Sequence, residues 1–247
     1  MHGLRWQLIA GVILIALSAT IYFAHYALFG DAHHIFSYLI TDLAFLPVEV
    51  LLVTMIIHQL LTRMETKTRL EKLNVVIGVF FSEMGTPLLT RFSDYDPNLD
   101  KIRGELVLSH GKSDSEIKKI GKRLVGFDYG VDIGNIDLEE LKWYLAGKKD
   151  FLVQMLQNPT LLEHESFTDL LMAVFHLAEE LSHRESFKEL PASDLKHLQG
   201  DIKRAYGGLA VEWLSYMKHL QGNYPYLFSL ALRTNPFDKN SSPLVGY

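Results

Sequence analysis

The chain has 247 residues, is 48% hydrophobic and carries a net charge of −5, so no overall positive field recruits nucleic acid. Cysteine is absent, which excludes disulfides, thiolate nucleophiles, iron–sulfur clusters and cysteine-ligated zinc. A mean hydropathy of +0.09 is too low for a transporter of many spans and too high for a wholly soluble acidic domain, so the apolar residues must be concentrated in part of the chain.

They are concentrated near the start. Leu8 to Phe29 runs without a formal charge, and its length matches the roughly 20 residues that cross a bilayer as a helix. A signal peptide would have a shorter apolar core, usually about 7 to 15 residues, followed by a small-residue cleavage site. Here a second apolar run, Ile35 to Leu61, follows instead, after a linker from Gly30 to His34 that can only be a tight turn. Residues 1–62 therefore read as a transmembrane hairpin with spans at about 8–29 and 35–61. The turn lacks Lys and Arg, whereas Arg5 precedes the first span and Arg63, Lys67, Arg69 and Lys72 follow the second. The positive-inside rule then puts both termini on the cytoplasmic side of a cell inner (plasma) membrane. Trp6, Tyr22 and Tyr26 suit the two lipid–water interfaces.

The second span is interrupted by Asp42, Pro47, Glu49 and His58, and with His25 of the first span Asp42, Pro47 and Glu49 are the candidate intramembrane site. A carboxylate at this depth is costly, and an intramembrane ionisable group is by default a functional candidate. Asp42 lies about 10 Å into the second span by helical rise, near enough in depth to His25 for the two to pair. Glu49 lies about 21 Å in, where no ionic partner is evident. The two acids share a helix face, with Pro47 between them to kink the helix. Two helices cannot hide that face, so it asks for further copies, either as a hydrogen-bonded seam or as carboxylate rings around a hydrated cation path.

Residues 63–90 continue the helical pattern as a stalk. Leu70, Leu73, Ile77, Phe80 and Met84 form a stripe that serves an oligomer or packs on the chain's own domain, and Gly85 and Pro87 should end it. Residues 91–235 read as a helical cytoplasmic domain of four to six helices. Ser113 and Glu116 form a capping box, Asp137 and Glu140 an acidic cap, and Asn158-Pro159 a break. A helix spans about 165–183, Ser193 caps another from Asp194 to about Gln221, and Pro225 opens a last one through Arg233. Lys112, Lys118, Lys119, Lys122 and Arg123 make a small basic cluster suited to lipid headgroups or to simple solvation. Residues 236–247 read as a tail. The fold class is all-α, a transmembrane helical hairpin followed by a helical bundle.

Catalytic motifs are missing: there is no Gly-x-Ser-x-Gly elbow, no His-Glu-x-x-His and no phosphate-cradling loop, so no enzyme activity is read and no cofactor is required. Any metal site must use His, Asp and Glu. Glu165, Asp169, His176 and Glu180 share a face of one helix, and His197, Asp201, Glu212 and His219 lie broadly on one side of the next. Two such faces turned inward could hold a divalent metal, with Asp169, His176, Glu180, Asp201 and His219 as the nominated ligands.

The stretches DLAFLPVEVLLVT, KLNVVIGVFFSEMG, NPTLLEHESFTDLLMAVFHLAEEL and YPYLFSLALRTNPF, spread over most of the chain, are similar to an uncharacterised family of prokaryotic membrane proteins. The resemblance implies two transmembrane helices and a helical cytoplasmic domain, and it carries no activity onto these residues. Two functional readings follow. The first is a homo-oligomeric membrane protein, an ion (cation) channel through Asp42 and Glu49 with the bundle as regulatory module. The alternative is a non-conducting, membrane-anchored sensory or interaction protein. Membrane lipid, further copies of the chain and a cytoplasmic protein are the partners these readings call for.

Overall fold

A computed structural model describes residues 2–108 and 112–245, with the side chains of residues 2–5, 8, 67, 69 and 70 outside the described set. The basic residues Arg5, Lys67 and Arg69 and the stripe residue Leu70 therefore fall outside it, as do the last two residues of the tail. Every regular element among the described residues is helical. By their contacts, residues Met1–Thr66 and Lys67–Tyr247 form separate compact units.

The first unit holds α1 (His2–Phe29) and the first part of α2 (Ala32–Phe80). Glycine ends α1 because the stop needs a left-handed residue: Gly30 has φ +64° and donates its N–H to the Tyr26 carbonyl at 2.9 Å. Asp31 then caps α2, its Oδ1 accepting from the His34 N–H at 3.1 Å. The chain turns back here, since the His25 and His34 rings stack at 6.3 Å, whereas a continuous helix would separate them by about 13 Å along its axis. Both helices are long and apolar enough to cross a membrane. Their apolar side chains face outward, Phe23 at 74% exposure and Leu28 at 78%. His25 packs on Phe29 (4.8 Å) and His34, and no ion pair joins it to Asp42 among the described residues. The turn is two residues long, so α2 starts earlier than expected. Asp42 then stands about 15 Å along its helix, against about 6 Å for His25.

In the second unit, Leu73, Ile77 and Phe80 of α2 are buried in the domain's own core, as is Met84 beyond it. The stripe packs on its own domain. The expected stop at Gly85 and Pro87 is instead a π-turn, Phe81–Gly85, that leads straight into α3 (Thr86–Asp94). Pro87 falls in the first turn of α3, where its missing N–H costs little. Gly85 is required by packing, because a Cβ there would lie 2.6 Å from the Phe81 ring and 2.9 Å from the Phe80 ring.

Short turns lead through α4 (Arg103–Leu106) to α5 (Asp114–Val125), which starts with the capping box of Ser113 and Glu116. Of the basic cluster, Lys112 donates to the Glu105 carbonyl and Arg123 pairs with the Glu105 carboxylate. Asp137 caps α6 (Leu138–Gly147) by accepting from the Glu140 N–H at 2.8 Å. Next come α7 (Lys149–Leu156) and α8 (Pro159–Leu162), the latter capped by Asn158. The domain thus uses more and shorter helices than the four to six expected. Two long ones dominate: α9 (Glu165–Ser182) and α10 (Ala192–Asn223).

Helix α10 begins two residues before Asp194, so Ser193 lies inside the first turn and Pro191 occupies the cap position. It runs through Gly222 and ends at Tyr224, held at ψ 68° by the following proline, which opens α11 (Pro225–Arg233). Phe237 is fully buried with its ring 5.0 Å from Trp213, and Ser93 donates to the Pro236 carbonyl at 2.7 Å. The first residues of the expected tail are therefore core.

Candidate functional site

Near its C-terminal end α9 carries His176 and, one turn later, Glu180; near its N-terminal end α10 carries His197 and, one turn later, Asp201. Residues four apart share a helix face. The two helices meet so that each imidazole reaches both acids. His176 Nε2 lies 3.8 Å from Glu180 Oε1 and 3.6 Å from Asp201 Oδ1. His197 Nε2 lies 3.6 Å from Glu180 Oε2 and 3.3 Å from Asp201 Oδ2. One donor atom from each of His176, His197 and Asp201 fits within 4.8 Å.

Two arginines orient the acids. Arg204 donates to Asp201 Oδ1 at 2.9 Å, and Arg184 donates to Glu180 Oε2 at 2.9 Å while clamping both oxygens of Asp194, at 2.9 and 2.7 Å. The Arg184 hydrogen bond holds the Glu180 carboxyl below the usual carboxylate range, and Asp194 is lowered for the same reason. Asp201 is only 2% exposed, yet its Oδ2 accepts no hydrogen bond among the described residues. The histidines are about half exposed, at 45% and 53%, so the cluster is open to solvent on their side.

His176 and Arg204 also line the end of a groove of about 1020 Å³ between α5, α9 and α10. Leu170, Met172 and Phe127 supply apolar walls. Further along the groove, Ser166 donates to the buried Glu212 at 2.6 Å. On the groove wall α9 and α10 approach closely: a Cβ on Gly208 would lie 3.2 Å from Leu170 Cδ1.

Of the five nominated ligands, the structure brings His176, Glu180 and Asp201 together and leaves Asp169 and His219 apart. Asp169 lines the groove two turns before His176. His219 lies near the far end of α10, its ring 5.6 Å from Tyr224 and its Nδ1 3.2 Å from Asn223 Nδ2. His197 completes the cluster instead. The signal for it is the repeated His-x-x-x-acid spacing in HLAEE and HLQGD, which puts matched pairs on consecutive helices.

Burial lowers the His219 pKa, against a smaller opposing effect of Glu71 on α2; Asp114 and Lys218, paired at 2.9 Å, border the same recess. A depressed histidine favours folding above its unfolded value of about 6.5, and that contribution is lost as pH falls through the folded value. The His219→Gln variant should therefore lose less thermal stability than the parent between pH 7.5 and 5.5, measured by circular dichroism. Equal losses would contradict the lowered His219 pKa.

Asp42, Pro47 and Glu49 all lie on α2 with their side chains exposed on the hairpin, and neither acid has an ion-pair or hydrogen-bond partner among the described residues.

No solved structure matches this chain. The chain is 47% identical over 241 residues, covering 98% of its own length and 97% of the relative's, to a protein of Methanocaldococcus jannaschii described as "Uncharacterized protein MJ1433". Residues 2–61 match the model of the MJ1433 N-terminal helical domain, and residues 69–233 match that of the MJ1433 C-terminal helical domain. The chain therefore belongs to the MJ1433 family, in which an N-terminal helical domain precedes a C-terminal one.

Proposed function

We propose that this protein is a homo-oligomeric membrane protein whose hairpin spans the bilayer twice with both termini cytoplasmic, and whose helical domain is its regulatory module. One observation carries the reading: Asp42 and Glu49 stand exposed on an otherwise apolar helix surface and lack partners among the described residues. Lipid cannot satisfy a carboxylate, whereas the same face of α2 on a second copy can, through shared protons or an enclosed strip of water. Such a seam supports cation passage past the two acids.

A second reading is favoured by the formed cluster and groove on α9 and α10. In it the hairpin only anchors a ligand-binding or partner-binding domain, and Glu49 acts as neutral interhelical glue.

The mass of the particle in nanodiscs tests the first reading. Four or more copies are expected, with cation flux in liposomes altered by Glu49→Gln. A monomer would overturn oligomeric assembly. An oligomer without flux, with assembly unchanged in Glu49→Gln, would leave the anchored reading.

A further inference from the structure

We infer that His176, His197 and Asp201, with Glu180 beside them, form a binding site for one divalent first-row transition cation. The site lies wholly within the helical domain, so it stands whichever way the hairpin test falls.

The distances carry the argument. Zinc binds imidazole nitrogen at about 2.0–2.1 Å and carboxylate oxygen at about 2.0–2.2 Å, so neighbouring donors around a tetrahedral ion are roughly 3.3–3.5 Å apart. From each imidazole to one oxygen or the other of the two acids the separations here are 3.3, 3.6, 3.6 and 3.8 Å, and the donors of His176, His197 and Asp201 lie within 4.8 Å of one another, so side-chain rotations that draw them inward would close the shell. Ordinary surface ion pairs would join each histidine to one acid, whereas here both histidines face both acids.

The buried acid is the second observation. Asp201 is nearly inaccessible, Arg204 occupies its Oδ1, and its Oδ2 is left without a hydrogen bond among the described residues while facing His197 Nε2 at 3.3 Å. A buried acceptor without a partner is costly, and a cation between Oδ2 and the imidazoles removes that cost. Arg184 likewise fixes Glu180 Oε2, leaving Oε1 toward His176. Outer hydrogen bonds of this kind orient ligating carboxylates.

Charge and donor type agree. Asp194, Glu180 and Asp201 outnumber Arg184 and Arg204 by one, so the site is negative before a cation enters. Two imidazoles with carboxylates suit zinc, iron, cobalt or nickel better than magnesium or calcium, which prefer all-oxygen sites. The exposed side of the histidines leaves coordination positions for water or for a ligand reaching along the groove.

The test uses the full chain in detergent, stripped with chelator, with Zn²⁺ followed by calorimetry and Co²⁺ by its visible ligand-field bands. One equivalent per chain is expected. Asp201→Asn and His197→Gln should each weaken binding by about 100-fold. The double variant of His33 and His34, which could hold metal adventitiously at the hairpin turn, should bind as the parent does. His197 is half exposed, so His197→Gln keeps the fold even if Asp201→Asn does not, and circular dichroism verifies each. No uptake by the parent, or unchanged affinity in a folded His197→Gln, would overturn the site.

Discussion

Replacing Phe167 with alanine should lower the unfolding free energy of the helical domain by about 3–5 kcal/mol, the usual range for a buried phenylalanine in a core that cannot collapse around the void. Phe167 is fully buried in the first turn of α9, with its ring edge-on to that of Phe80 at 5.2 Å. Phe80 ends α2 and also meets Phe81 edge-on at 5.4 Å, so the lost ring leaves a gap between two elements distant in sequence. Phe167→Leu keeps most of the volume and should cost less than about 2 kcal/mol. Denaturant titration of the full chain in detergent, followed by tryptophan fluorescence, checks both because Trp213 reports on the same core. Equal losses for Ala and Leu would mean that the ring does not fill the space between α2 and α9.

Gly208→Leu should destabilise the same domain by about 1–3 kcal/mol, the cost of overpacking a tight interface, while Gly208→Ala should be near neutral. A small residue here lets α10 lie this close to α9: an added Cβ meets Leu170 Cδ1 at 3.2 Å and the Leu170 Cα at 3.7 Å. A methyl group displaces only the end of a flexible leucine, and the helix gains about 1 kcal/mol from losing a glycine. An isobutyl group must instead push the helices apart. Gly200, on the same helix with nothing within 4 Å of its would-be Cβ, is the control, and Gly200→Ala should stabilise by about 1 kcal/mol. Opposite signs for Gly208→Leu and Gly200→Ala in one thermal-denaturation series would show that packing, not helix propensity, decides at Gly208. Matching signs would contradict the close approach. Parting the helices also separates His176 from Asp201, so Gly208→Leu should lose Zn²⁺ affinity as well.

Two features of the fold were legible because their physics is local. The two apolar helices follow from the length of their runs, and the turn between them falls within the expected linker from Gly30 to His34. The helices opened by Ser113, Asp137 and Pro225 follow from capping chemistry within four residues. Where the reading failed, a distant neighbour intervened. Gly85 and Pro87 look like a helix stop, yet the chain continues through a π-turn because Phe80 and Phe81 are both locked into the core. Residues 236–247 read as a tail, yet Trp213 and Ser93 hold Pro236 and Phe237.

The candidate site divides in the same way. By itself the sequence determined which residues share a helix face, because a period of 3.6 puts His176 over Glu180 and His197 over Asp201. It could not determine which stretch of α10 lies against His176, and so His219 was as eligible as His197. That choice belongs to the tertiary structure, because the register between α9 and α10 is set by side chains meeting across the interface, including Leu170 against the bare backbone at Gly208.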